Sequence, residues 1–184
     1  ILYVGPLLAD STTIQRLHAL QAFGYEISTV TTAKPAAHQR LSLFARVRNR
    51  FLGKRDRTGA NGRILSELRT TPFDLLWIDK GLTVHPQTLQ NVRRTQPSCL
   101  IVGFSPDDMM NPRNQSRCFL RGLRLYDWYI TNKSYNVAEL KALGCPRVVF
   151  MDNGFDPATH RPMPVSAEER KRFGGAVGFI GQWE

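Results

Sequence analysis

Two neighbouring carboxylates, Asp107 and Asp108, follow the apolar run 100–104 in what reads as a loop at a strand end. A carboxylate in such a place can take a proton from a sugar hydroxyl, or hold that hydroxyl by hydrogen bonds. The same pair serves equally well as helix-capping acids in a solvated loop. No histidine or further acid stands at a spacing that would complete a metal site with them, so no metal is expected. Lys80, directly after Asp79, and Lys133, at the start of a predicted helix, offer positive charge to a phosphate; plain surface placement is the alternative for both. The histidines at 18, 38, 85 and 160 are isolated from one another and receive no catalytic role.

These residues need a scaffold that brings them to one edge. Seven short apolar or β-branched runs, at 1–5, 26–31, 75–79, 100–104, 128–131, 148–151 and 177–181, alternate with segments of helical period. Several of the runs lack polar alternation, as strands covered on both faces do. The expected fold is α/β, a Rossmann-like, mostly parallel sheet with helices on both faces. Asp10 or Ser11 can cap a first helix carrying Ile14, Leu17, Leu20 and Phe23 and closed by Gly24. Further helices are predicted over 86–94, 115–125 and 134–143. The crossover 32–73 is longer, with a Gly-rich break at 53–62 and a second helix near 63–68.

Ligands of open parallel sheets bind beyond the carboxyl ends of the strands. The groups expected there are Gly5-Pro6, Thr31-Thr32, Asp79-Lys80-Gly81, Ser105-Pro106-Asp107-Asp108, Thr131-Asn132-Lys133 and Asn153-Gly154. Leu7 and Asp10 occupy the places where a dinucleotide fingerprint has glycines, and no GxxxxGK[ST] occurs. A classical NAD site is therefore not expected, and the P-loop reading is removed.

The chain of 184 residues carries 25 Lys and Arg against 15 Asp and Glu, a net charge of +10. Eight of those basic residues lie within 40–63 against Asp56 alone, which argues against a protein-wide nucleic-acid surface. Within 40–57 the apolar positions Leu43, Phe44, Val47, Phe51 and Leu52 fall at helical spacings, while Arg46, Arg48, Arg50, Lys54 and Arg55 supply charge. The segment reads as a helix on its own sheet with a solvated basic side, or as a contact to an anionic membrane or polyanion. Three cysteines without a CxxC make a disulfide framework improbable and fit a cytoplasmic protein, or one peripheral at the inner face of the membrane.

Arg16-Leu17-His18-Ala19-Leu20, followed by Phe23-Gly24-Tyr25-Glu26-Ile27, resembles the first helix and second strand of GT-B glycosyltransferases, with Tyr25 where histidine is common. Asn153-Gly154-Phe155-Asp156-Pro157 and then His160-Arg161-Pro162 resemble the loop that closes the amino-terminal half of such enzymes. With 131–144 and Val177-Gly178-Phe179-Ile180-Gly181, the order is most similar to the spore-maturation (CgeB-like) glycosyltransferases. The resemblance implies an acceptor-side domain over 1–164, with 165–184 a linker helix and the first strand of a truncated donor-binding domain. It implies transfer from a nucleotide-sugar to an acceptor hydroxyl without metal or other cofactor, and a fragment inactive alone. Asp107 or Asp108 is the expected catalytic residue; Gly5, Pro6, Lys80, Gly81, Ser105, Asn132, Lys133, Asn153 and Gly154 are the expected substrate-binding residues. A non-catalytic binding domain docking through 40–57 is the alternative.

Overall fold

The computed structural model describes residues 1–9, 11–33 and 55–176. Six of the seven predicted runs are strands: β1 (Leu2–Gly5), β2 (Ser28–Thr31), β3 (Leu75–Asp79), β4 (Leu100–Ser105), β5 (Trp128–Thr131) and β6 (Val148–Phe150). The seventh, at 177–181, lies outside the described residues. All neighbours pair in parallel, in the order β2-β1-β3-β4-β5-β6. The fold is therefore α/β and Rossmann-like. The chain steps from β1 to one side, then returns past β1 and continues outward through β3 to β6, so strand order reverses between β1 and β3.

Right-handed crossovers make that reversal decide which face each helix covers. Helix α1 (Thr12–Ala22) begins at Ser11, whose hydroxyl accepts from the Ile14 N–H. It buries Thr13 and Leu17 and lies on the face that carries Tyr3, Asp79 and Phe104. The other face holds Leu2, Val4, Leu76, Ile78, Ile101, Tyr129 and Val148. Those side chains form the core with Ile64 and Leu68 of α2 (Ala60–Thr70), Leu89 and Val92 of α3 (Pro86–Thr95), Phe119 of α4 (Arg117–Gly122) and Leu140 of α5 (Asn136–Ala142). A short 3-10 turn, Leu123–Leu125, extends α4.

Helix α2 starts earlier than the sequence predicts and runs through Gly62. The reason is Asp56: its Oδ1 accepts from the N–H groups of Thr58 and Ala60, and its Oδ2 from the N–H and side-chain amide of Asn61. A carboxylate placed ahead of the helix thus satisfies the donors that a helix start leaves open.

Residues 1–154 form one compact unit, and a second begins at Phe155. Within the second, α6 (Ala167–Phe173) starts with a capping box in which Ser166 and Glu169 satisfy each other's N–H groups. Ahead of it Asp156 orders a turn by accepting from the Ala158 N–H and the Thr159 hydroxyl.

Candidate functional site

At the carboxyl edge of the sheet, β3 ends on Asp79 and the chain turns through two residues with positive φ, Lys80 at 64° and Gly81 at 48°. The conformation of Lys80 is uncommon for a residue with a side chain. It is held there because its N–H donates to the Phe104 carbonyl, prolonging the β3–β4 ladder. Gly81 answers to packing: a Cβ there would sit 2.7 Å from the Tyr126 hydroxyl. This turn sends the Lys80 ammonium across to β4, where Nζ lies 2.8 Å from Asp107 Oδ2, each side chain about a third exposed.

The loop after β4 is built from its own polar groups. Ser105 is fully buried and its Oγ accepts the Asp107 N–H, so it shapes the loop rather than facing a ligand. Asp108 is similarly engaged: its Oδ1 accepts from the Met110 N–H and from the Asn136 amide, both at 2.9 Å. The Asn136 hydrogen bond, then that of Met110, holds the Asp108 carboxyl below its ordinary range. Asn136, buried at the start of α5, also accepts the Met109 N–H. Of the two acids expected to do chemistry, Asp108 serves as a turn acceptor, and Asp107 is left at the rim beside Lys80.

Further along the edge, Asn132 donates to Asn153 Oδ1 at 2.7 Å, while its own Oδ1 is buried without a hydrogen-bond partner among the described residues. Lys133 is half-buried, donates its N–H to Thr131 Oγ1, and lies close enough to Asp108 to favour its ionised form. Gly154 is exposed beside Asn153. The structure therefore brings Lys80 to Asp107 and Asn132 to Asn153. Gly5 and Pro6 stand at the end of β1, but Gly5 is buried, and a Cβ there would meet Asp79 Cβ at 2.9 Å; its smallness serves strand and helix packing. Among the basic residues of 40–57, Arg55 is exposed, whereas Arg46, Arg48, Arg50 and Lys54 lie outside the described residues.

Contacts that the sequence did not reveal anchor this edge. Asp79 is completely buried, and its Oδ2 accepts from Arg16 Nε at 2.8 Å and from the Tyr3 hydroxyl at 2.9 Å. Burial, then the Asp79 charge, pushes the Tyr3 phenol far above its ordinary value, so it remains a donor. The Arg16 guanidinium lies 4.3 Å from the centre of the Phe104 ring. Asn61 ties α2 to the loop before α3: its amide donates to Asp56 and to the Thr83 carbonyl, and its Oδ1 accepts from the His85 N–H and the Thr88 hydroxyl. A tyrosine in a strand that is otherwise aliphatic, and an asparagine inside a helix, were the available signals.

Among the described residues no group of three or more His, Cys, Asp or Glu could hold a metal ion, and no helix is long and apolar enough to cross a membrane. The three cysteines are free, Cys99 and Cys145 buried and Cys118 half-buried.

No family model matches the chain, and no curated protein matches it. Among solved structures it is similar to a response regulator protein from Burkholderia pseudomallei, solved with a phosphorylated aspartic acid, a calcium ion and citrate. That alignment has a TM-score of 0.39 at 12% identity and covers 78% of this chain; the chain spans 65% of that protein.

Proposed function

We propose that this chain is the acceptor-side, amino-terminal part of a GT-B-type glycosyltransferase, most like the CgeB-like enzymes, moving a sugar from a nucleotide-sugar to an acceptor hydroxyl. The supporting observation is the Lys80–Asp107 pair at the carboxyl edge of an all-parallel sheet, which sets a carboxylate and an ammonium side by side where ligands of such sheets bind. The resemblance of 153–162 to the closing loop of that family supports the same reading.

In an inverting reaction, Asp107 takes the proton of the acceptor hydroxyl as its oxygen bonds the anomeric carbon. The bond from that carbon to the diphosphate breaks, and the diphosphate leaves with the electron pair. Lys80 orients the carboxylate and lends positive charge to the departing group. In a retaining reaction no base is required, and Asp107 grips the acceptor instead.

The test is transfer or hydrolysis by the full-length protein, assayed against uridine, guanosine and thymidine diphosphosugars. Turnover of one donor is expected, with Asp107→Asn lowering kcat by about 10²–10⁴-fold if the carboxylate is the base. A change confined to the acceptor KM would mark it as a grip. Neither binding nor turnover of any donor would refute the assignment.

A further inference from the structure

A second concentration of positive charge involves other residues than the Lys80–Asp107 pair. From Met109 to Tyr126 the chain has four arginines, at 113, 117, 121 and 124, and no Asp or Glu. Arg117 and Arg121 sit one turn apart on α4, a spacing that puts two like charges on one side of a helix and costs stability unless an anion offsets it. Both are exposed and make no ion pair among the described residues. They line a groove of about 250 Å³ together with His85, Pro86, Gln87 and Cys118. None of the six lining residues is acidic. The groove also receives the start of α3, whose first turn holds no acidic residue and whose preceding residue, His85, offers no side-chain cap. Pro86 has no N–H and the Thr88 N–H donates to the His85 carbonyl, so the helix start adds to the positive potential through its dipole.

The volume decides the size of the guest. Ligand pockets for drug-sized molecules run to about 300–1,000 Å³, so this groove suits a small anion or the phosphate end of a larger molecule, not a whole nucleotide-sugar. Two guanidiniums one turn apart match the several oxygens of a phosphate group better than a single carboxylate.

We propose that the groove between α3 and α4 is a phosphate-binding site, gripped by Arg117 and Arg121 and filled by a phosphate or diphosphate ester. It shares no residue with the Lys80–Asp107 edge and stands whether or not the chain takes part in sugar transfer. Cys118 supplies a reporter, since the other two cysteines are buried and a group bound in the groove would shield it from alkylation.

The experiment titrates inorganic pyrophosphate into the protein at low ionic strength, read by calorimetry and by the rate of Cys118 alkylation, with phosphatidylglycerol vesicles as a parallel arm. Saturable binding that slows alkylation is expected. In R117Q/R121Q it should weaken about tenfold or more, and in Arg124→Gln, on the turn outside the groove, it should stay within about twofold. Thermal melting of each variant checks that these exposed substitutions leave the fold intact. Vesicle pelleting without pyrophosphate binding, abolished in R117Q/R121Q, would identify the phosphate as that of a lipid headgroup. Absence of binding in both arms, or equal losses in R124Q and R117Q/R121Q, would overturn the proposal.

Discussion

Asp79 shows why the last residue of a strand at this edge is not automatically free for chemistry. Its side chain is wholly buried, and both Arg16 and the Tyr3 hydroxyl approach one oxygen, Oδ2. The other oxygen has no hydrogen-bond partner among the described residues. A carboxylate so desolvated depends on its cation, and removing the cation costs more than the pair contributes. Arg16→Leu is therefore expected to lower unfolding stability by about 3–5 kcal/mol in urea titrations, and R16L combined with Asp79→Asn to recover much of that loss. A loss from R16L below about 0.5 kcal/mol, the range of ordinary surface substitutions, would show that Asp79 does not need it. By the same reasoning Lys80 and Asp107, each about a third exposed, form a pair that a ligand can enter without stranding a buried charge.

The start of α2 carries an argument about pH. Burial alone would raise the Asp56 carboxyl, but the backbone and side-chain hydrogen bonds of Asn61, with those of Ala60 and Thr58, outweigh it and hold the group well below the usual carboxylate range. A group depressed on folding contributes stability above its unfolded value, about pH 4, and loses that contribution as pH falls through its folded value. Asp56→Ala is thus expected to cost about 0.5–2 kcal/mol at pH 7. The gap from the parent protein should narrow steadily below about pH 4, as denaturant titrations across that range would record. A gap independent of pH would mean that the carboxylate is not what caps the helix. The sequence concealed this cap because helix-start rules look at the residue next to the first turn, here Gly59 with φ 70°, whereas the acceptor stands three positions further upstream. Ser11, next to its own helix, was legible for the complementary reason. The Lys80–Asp107 pair joins residues from successive strand ends, so each was visible as a candidate while their contact was not.

Strand order governs the molecule as a whole, and it is the property that apolar runs without alternation leave open. Those runs announced six of the strands and a parallel sheet, but the helices divide between faces according to where the order reverses. Reversal between β1 and β3 leaves α1 on one face while α2 to α5 all pack on the other. On the α1 face Leu100, Trp128 and Val149, brought to the same side by the pairings of β4 with β5 and β5 with β6, remain 48%, 37% and 37% exposed. Parallel sheets ordinarily have both faces covered, which makes this stretch unusual. Two tryptophans report on it differently. Trp77 is half-buried between Tyr3 and Phe104, with ring centres 6.3 and 6.1 Å away, whereas Trp128 has the Arg147 guanidinium 5.2 Å from its ring centre. The nearby cation should draw iodide to Trp128. In a background with Trp183, outside the described residues, replaced by Phe, iodide is expected to quench Trp128 strongly and Trp77 weakly. Trp128→Phe should remove the readily quenched component, and Arg147→Gln should reduce its iodide quenching while leaving quenching by neutral acrylamide nearly unchanged. Equal protection of both indoles from both quenchers would show that this face of the sheet is covered in solution.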